Sequence, residues 1–230
     1  MCIRDSFWIV GRRLGPRRVR RAGDPGRRPV IFIHGYAQNR VDFLFLASRL
    51  RRRGFDALFG FNYAWVSTLE ASAARLDRFV EEVCAECEVD RVDLVCHSMG
   101  GLVAMQYLHS PSGTRRVARC VTLATPFGGV RWRGPLLGRA AIALRKGFPF
   151  PEGPPASLPV ALLSVFSRHD NVVHPASTTS LERVGGRHHE AGTMGHLVIL
   201  FDGQGADVVA DFLLEEAPVA RSEVVVGPSE

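Results

Sequence analysis

The chain reads as an α/β protein: a minimal, mostly parallel sheet of about six strands with helices packed on both faces. Three observations predict this. Short apolar runs alternate with helix-like runs along the chain. The runs are continuously apolar, as in Val30-Ile31-Phe32-Ile33, which fits strands buried on both sides. Polar, chemically capable residues stand just past the ends of those runs: His34, Ser98 and Asp170 each follow a predicted strand, and His196 follows a weaker one. In parallel sheets, chemistry gathers at the carboxyl ends of the strands.

The first strand is Pro29 to Ile33, stopped by the turn signal His34-Gly35. Asn39 is placed to cap a helix running to about Arg53, with Phe43, Leu46, Ala47 and Leu50 at helical spacing. Phe55 to Phe61 reads as the second strand. Ser67-Thr68-Leu69-Glu70 is a capping-box pattern, and the helix it opens puts Leu69, Ala73, Leu76, Val80 and Val83 on one stripe. Val92 to Cys96 is the third strand, followed by a helix-like run, Leu102 to Leu108. Val117 to Leu123 and Val160 to Phe166 are the fourth and fifth strands, with a weak sixth within Glu182 to His189. Gly203 to Glu216 closes the domain as a helix. Phe127 to Leu158 is different: six glycines and five prolines surround one amphipathic stretch, Leu136 to Lys146. It is too long for an ordinary connection and is expected to act as a cap or lid. The expected organisation is a basic, disordered arm over residues 1–28, a domain over 29–216 with its cap at 127–158, and a flexible tail over 217–230.

At 230 residues, 46% of them hydrophobic, the chain has the size and composition of one globular domain. Its net charge of +6 is uneven. Nine arginines against Asp5 and Asp24 give residues 1–28 a balance of +7, and the remainder, with 20 basic and 21 acidic residues, is nearly neutral. Such an arm, through residues 12–28, suits peripheral contact with an anionic membrane, and nucleic acid is not the expected partner. No run of about 18 apolar residues is present. Phe7 to Val10 is too short for the core of a signal peptide, and Met1 to Ser6 reads as a foreign start with sequence missing upstream. The five cysteines (Cys2, Cys84, Cys87, Cys96, Cys120) are an odd number and read as reduced. Cys84 and Cys87 have metal-ligand spacing, but no second pair accompanies them, so no metal is expected.

The most informative string is Leu94-Val95-Cys96-His97-Ser98-Met99-Gly100-Gly101. An apolar strand ends at a serine, and two glycines open a helix. This pattern lifts a hydroxyl above the sheet edge, at a helix N-terminus that favours negative charge. A neutral hydroxyl is a weak nucleophile, so it needs a base, and the base needs an orienting acid. Asp170 lies in the polar turn Ser167-Arg168-His169-Asp170-Asn171, with Asp202 and Glu190 as rivals. His196 lies in Gly192-Thr193-Met194-Gly195-His196, with His188 and His189 as rivals. Tyr63, Trp65, Phe127, Trp132, Phe148 and Phe150 are candidate walls of a substrate pocket.

With an apolar strand into His34-Gly35, the His97-Ser98-Met99-Gly100-Gly101 turn, and Asp170 followed by Gly195-His196 in this order, residues 29 to 216 resemble the α/β-hydrolase superfamily, in particular a compact bacterial lipase or esterase. Cys96 departs from the family's small first position. The resemblance implies a catalytic Ser98, Asp170 and His196, and an oxyanion hole made of the Tyr36 and Met99 backbone N–H groups. No His-Gly-Gly-Gly string supports that lipase subclass. The expected activity is hydrolysis of lipid-like or alkyl and aryl esters through an acyl-enzyme, with no cofactor. Two alternatives share the sequence: an acyltransferase or lipid-remodelling deacylase with the same three residues, and a non-catalytic, membrane-peripheral binding module.

Overall fold

The computed structural model describes residues 27–130, 136–148, 158–173 and 179–215. The arm up to residue 26, the tail 217–230, Trp132 and Phe150 lie outside them. Six parallel strands form one sheet: β1 (Val30–Ile33), β2 (Leu58–Phe61), β3 (Val92–His97), β4 (Val117–Leu123), β5 (Ala161–Phe166) and β6 (Arg187–Glu190). Their spatial order is β2-β1-β3-β4-β5-β6. The chain leaves β1 toward one edge and returns on its other side at β3. The strand order reverses there, and a crevice opens above the carboxyl ends.

The helices are α1 (Leu44–Arg52), α2 (Leu69–Cys87), α3 (Met99–Leu108), α4 (Pro111–Arg116), α5 (Ala140–Lys146) and α6 (Gly203–Leu214). The period-two alternation of the strands divides the core into two layers. Ile31, Ile33, Leu94 and Cys96 meet Leu76, Val80 and Leu102 of α2 and α3. Phe32, Val95, Val121 and Val165 meet Leu46 and Leu50 of α1 and Val209 and Phe212 of α6. The stripe expected on α2 is buried in full.

The element boundaries differ from the sequence reading where the local chemistry decides them. Asn39 does cap, accepting from the Val41 N–H, but the first turn is a 3₁₀ turn, Arg40–Phe43. The cap of α2 is Thr68, one residue past Ser67, and its Oγ1 accepts from the Ala71 N–H at 3.2 Å. The weak sixth strand is displaced to Arg187–Glu190, because residues 179–184 form a 3₁₀ turn. Across the middle of the sheet, Arg119 on β4 faces Asp93 on β3 at 3.8 Å. Both are buried, and burial pushes the Asp93 carboxyl up to about 6 against the pull of Arg119. Among the described residues, no helix is long and apolar enough to cross a membrane.

Candidate active site

Ser98 follows β3 directly and precedes α3. Its φ is +51° and its ψ −124°, a strained conformation for a residue with a side chain. Its N–H is anchored to the Leu123 carbonyl at 2.9 Å. The two glycines that follow let α3 approach the strand ends. A Cβ at Gly100 would stand 2.2 Å from the Ile33 carbonyl oxygen, and one at Gly101 would stand 2.1 Å from Thr125 Oγ1. Cys96 is fully buried in the layer beneath the turn, so the departure at that position is absorbed by core packing.

The structure brings the three separated side chains together. His196 Nε2 lies 3.0 Å from Ser98 Oγ, and His196 Nδ1 lies 2.8 Å from Asp170 Oδ2. Asp170 follows β5, and its other oxygen, Oδ1, accepts from the Val172 and Val173 N–H groups, both at 2.8 Å. Burial works against its charge, yet the His196 partner and these two amides outweigh burial and hold the carboxyl below its ordinary value. The rivals are occupied elsewhere. Asp202 caps α6 by accepting from the Gln204 and Gly205 N–H groups. Glu190 pairs with Arg168 at 2.9 Å. His188 and His189 sit on β6, and His188 lies 4.0 Å from Glu182.

Two residues that the sequence did not single out fix the loops carrying the acid and the imidazole. Ser167 Oγ donates to the Gly192 carbonyl at 2.7 Å and accepts from the His169 and Met194 N–H groups, both at 3.1 Å. Asn171 Oδ1 accepts the His196 N–H at 3.1 Å. The only sequence signal for either was its place in the polar turn around Asp170.

The loop after β1 approaches Ser98 from the other side. His34 is buried and stacks on Tyr63 at 4.4 Å. Its Nδ1 faces the Gly35 carbonyl at 2.9 Å and its Nε2 accepts from the Tyr63 N–H, an arrangement that requires a neutral ring protonated at Nδ1. Burial lowers its pKa to about 4. His97 lies beneath the imidazole of His196, with Nε2 2.9 Å from the His196 carbonyl and Nδ1 2.7 Å from Gln38 Oε1. Burial, reinforced by His196, lowers its pKa to about 3. Gln38 Oε1 also accepts the Gly35 N–H at 2.9 Å. Tyr36 lies on this loop, on the cleft shared with Ser98. Met99 is the first residue of α3, where a backbone N–H has no intrahelical acceptor.

A cleft of about 760 Å³ opens over Ser98 and His196. Among the described residues its apolar wall is mainly aliphatic, Val130, Leu136, Leu144, Val172, Leu197 and Val198, with Tyr36 beside them. Of the aromatic residues expected in the pocket, Tyr63, Trp65 and Phe127 do not line this cleft among the described residues, and Trp132 lies outside them. Tyr63 is buried, and its hydroxyl donates to the His34 carbonyl at 2.7 Å, under the loop rather than in the cleft. Phe127 is core. Trp65 meets Tyr36 in an edge-to-face contact, 4.6 Å between ring centroids, and does not line the cleft. No cluster of His, Cys, Asp and Glu among the described residues is arranged to hold a metal ion.

Comparison with known proteins agrees with this architecture. Residues 30–227 match the α/β hydrolase family. Among solved structures, the mature lipase BlEst2 of Bacillus licheniformis superposes with a TM-score of 0.72 at 17% identity, covering 84% of this chain and 94% of the lipase. Lipase B of Aspergillus fumigatus gives 0.71 at 19% identity over 85% of this chain, which spans 54% of that larger protein. A monoacylglycerol lipase of Paleococcus ferrophilus gives 0.62 at 14% identity, covering 82% of this chain and 96% of that one. At these identities the likeness is one of fold.

Proposed function

Because the chain belongs to the α/β hydrolase family, we propose that it is a serine hydrolase of carboxylic esters working through an acyl-enzyme. The observation that carries this reading is the line of contacts Ser98 Oγ–His196 Nε2 at 3.0 Å and His196 Nδ1–Asp170 Oδ2 at 2.8 Å. The contacts suit proton transfer from the hydroxyl to the ring as the hydroxyl attacks the ester carbonyl. Asp170, held anionic, fixes the ring with its proton on Nδ1 and stabilises the imidazolium that forms. The proton then passes from Nε2 to the leaving alkoxide, releasing the alcohol. Water repeats the cycle and frees the acid.

The oxyanion formed at each attack is assigned to the N–H groups of Met99 and Tyr36. Each such donor is worth about 3 kcal/mol of transition-state stabilisation when aligned. The aliphatic cleft favours esters with an alkyl or acyl chain, in keeping with the lipases that share the fold. The test is Ser98→Ala assayed on p-nitrophenyl acyl esters of graded chain length, with fluorophosphonate labelling of the wild type. Loss of turnover, with label on Ser98, supports the reading. Wild-type turnover in the alanine variant overturns it.

A further inference from the structure

The side chain of Tyr36 makes contacts that the mechanism above does not use. Its hydroxyl donates to the Leu137 carbonyl at 2.9 Å, and the Leu137 N–H donates back to the phenol oxygen at 2.6 Å. The two residues are 101 positions apart. Thus the residue whose N–H is assigned to the oxyanion also grips the segment 136–148 that roofs the cleft.

Elsewhere that segment is tied down by packing, with Ala140, Leu144 and Phe148 in the core and Phe148 against His109, and by backbone hydrogen bonds. The Arg139 N–H donates to the Val66 carbonyl at 2.9 Å, the Val130 N–H to the Leu144 carbonyl at 2.7 Å, and the Phe148 N–H to the Phe127 carbonyl at 2.9 Å. Gly138, at φ +83°, lies so close to Val66 that a Cβ there would stand 2.6 Å from its Cα and carbonyl oxygen. These anchors hold the segment to residues 66, 127 and 130. The phenol of Tyr36 joins it to the loop after β1. On its inner side the segment presents Leu136 and Leu144 to the cleft.

We propose that the Tyr36 phenol is a positioning group: it clamps segment 136–148 to the oxyanion loop, so that the roof of the cleft and the Tyr36 N–H move as one. The inference rests on the ester-hydrolase reading and deepens it. A chain seated under Leu136 and Leu144 holds the roof in place, and the roof, through Leu137, holds the donor in register with the developing oxyanion. The contribution falls on the transition state more than on the bound ester, because the alignment of a short hydrogen bond matters most once negative charge has formed.

Tyr36→Phe removes both hydrogen bonds and keeps the ring against Trp65 and the backbone N–H. On a p-nitrophenyl ester of medium chain length, kcat is expected to fall about tenfold with KM within about twofold of wild type, the signature of a donor slightly out of place. Hydrogen exchange at the Leu137 amide, read in the intact protein without substrate, is expected to speed up, with melting temperature little changed. Ile142→Ala is the control. It trims an exposed side chain on the same segment, away from the cleft and from the clamp, and should leave kcat and Leu137 amide exchange at wild-type values. Faster exchange with unchanged kcat overturns the coupling between roof and donor. Unchanged exchange overturns the clamp itself. Should the wild type turn over no ester, the proposed function falls separately, and the clamp is judged on exchange alone.

Discussion

Gly100→Ala is the substitution that tests most directly how the serine turn is built. The added Cβ would stand 2.2 Å from the Ile33 carbonyl oxygen and 2.7 Å from that of His34. Both obstacles are backbone, one in β1 and the other just past it, so neither can swing aside as a side chain would. Relief requires the start of α3 to withdraw from β1 by roughly 1 Å, since close-packed interiors have no slack to absorb the overlap. Overpacking of this kind costs about 1–3 kcal/mol of stability. The catalytic cost is larger in proportion. Met99, with its N–H, and Ser98, with its hydroxyl, are the two residues before Gly100 and move with it. A displacement near 1 Å in a reacting constellation lowers turnover by about a hundredfold. The assay is kcat on p-nitrophenyl acetate beside a urea denaturation curve. The expected result is a fall in kcat of about two orders of magnitude in a variant that is still folded. Wild-type kcat and wild-type stability together would refute the close approach of α3 to β1. Gly101→Ala provides the contrast, because its obstacle is the Thr125 side chain, at 2.1 Å from Oγ1 and 2.6 Å from Cγ2. Adding Thr125→Ala should recover part of that loss, and no side-chain deletion should rescue Gly100→Ala.

Asp170→Asn keeps the shape but loses the anion that fixes the proton on His196 Nδ1, so kcat at pH 7 should fall about 10⁴-fold with the fold intact by circular dichroism. Val172→Trp narrows the mouth of the cleft, with the backbone N–H that serves Asp170 unchanged, and should lower kcat/KM for long-chain esters several-fold more than for acetate. Stability should decline as pH falls below about 6.5, the ordinary histidine value. His34 and His97 are buried neutral at about 4 and about 3, so the unfolded chain binds more protons than the folded one across that window. At about 1.4 kcal/mol per pH unit the two together amount to several kcal/mol, present in full above pH 6.5 and lost progressively toward pH 3. Asp93, raised to about 6, works in the opposite direction as pH falls from 6 toward 4 and offsets part of the loss. Denaturation midpoints between pH 8 and pH 4 check this, and a flat profile would count against neutral, buried rings at both sites.

What the sequence disclosed depended on whether a feature was carried by one contiguous run. The strand Val117–Leu123 was legible to the residue, because seven buried positions lie together between a charged helix end and a turn. The stripe on α2 was legible because burial on one face of a long helix imposes a 3.6-residue period. The edge strand Arg187–Glu190 was legible only as a weak stretch near Glu182 to His189, since an edge needs neither apolar continuity nor alternation, and its pattern is exposed at both ends. The cleft failed for a further reason. Its wall is assembled from residues 130, 136, 144, 172, 197 and 198, one or two at a time from four separate segments. No local window contains that surface. The aromatic residues that dominate a local reading were already committed: Tyr63 to propping the His34 loop, Phe127 to the core.

The same distinction explains why sequence could single out Ser98, Asp170 and His196, which the structure brings together, while the side chains that support them escaped it. Each of the three follows the end of a strand, and strand ends are visible locally. Ser167, Asn171, Gln38 and the Tyr36 phenol act between loops, across 25 to 101 positions of chain. A side chain that bridges loops carries no periodic signature, because its partner is fixed by topology and not by spacing. Once β1 and β3 are neighbours, paired Ile33 to Cys96, the turns that follow them are forced into contact. His97 then meets both Gln38 and the main chain of His196, joining the loop that carries Tyr36 to the loop that carries His196. Its burial is therefore a consequence of strand order. An aliphatic side chain in that position would leave Gln38 Oε1 and the His196 carbonyl without this polar neighbour; an imidazole places a ring nitrogen against each oxygen and, when neutral, donates its single N–H to one of them.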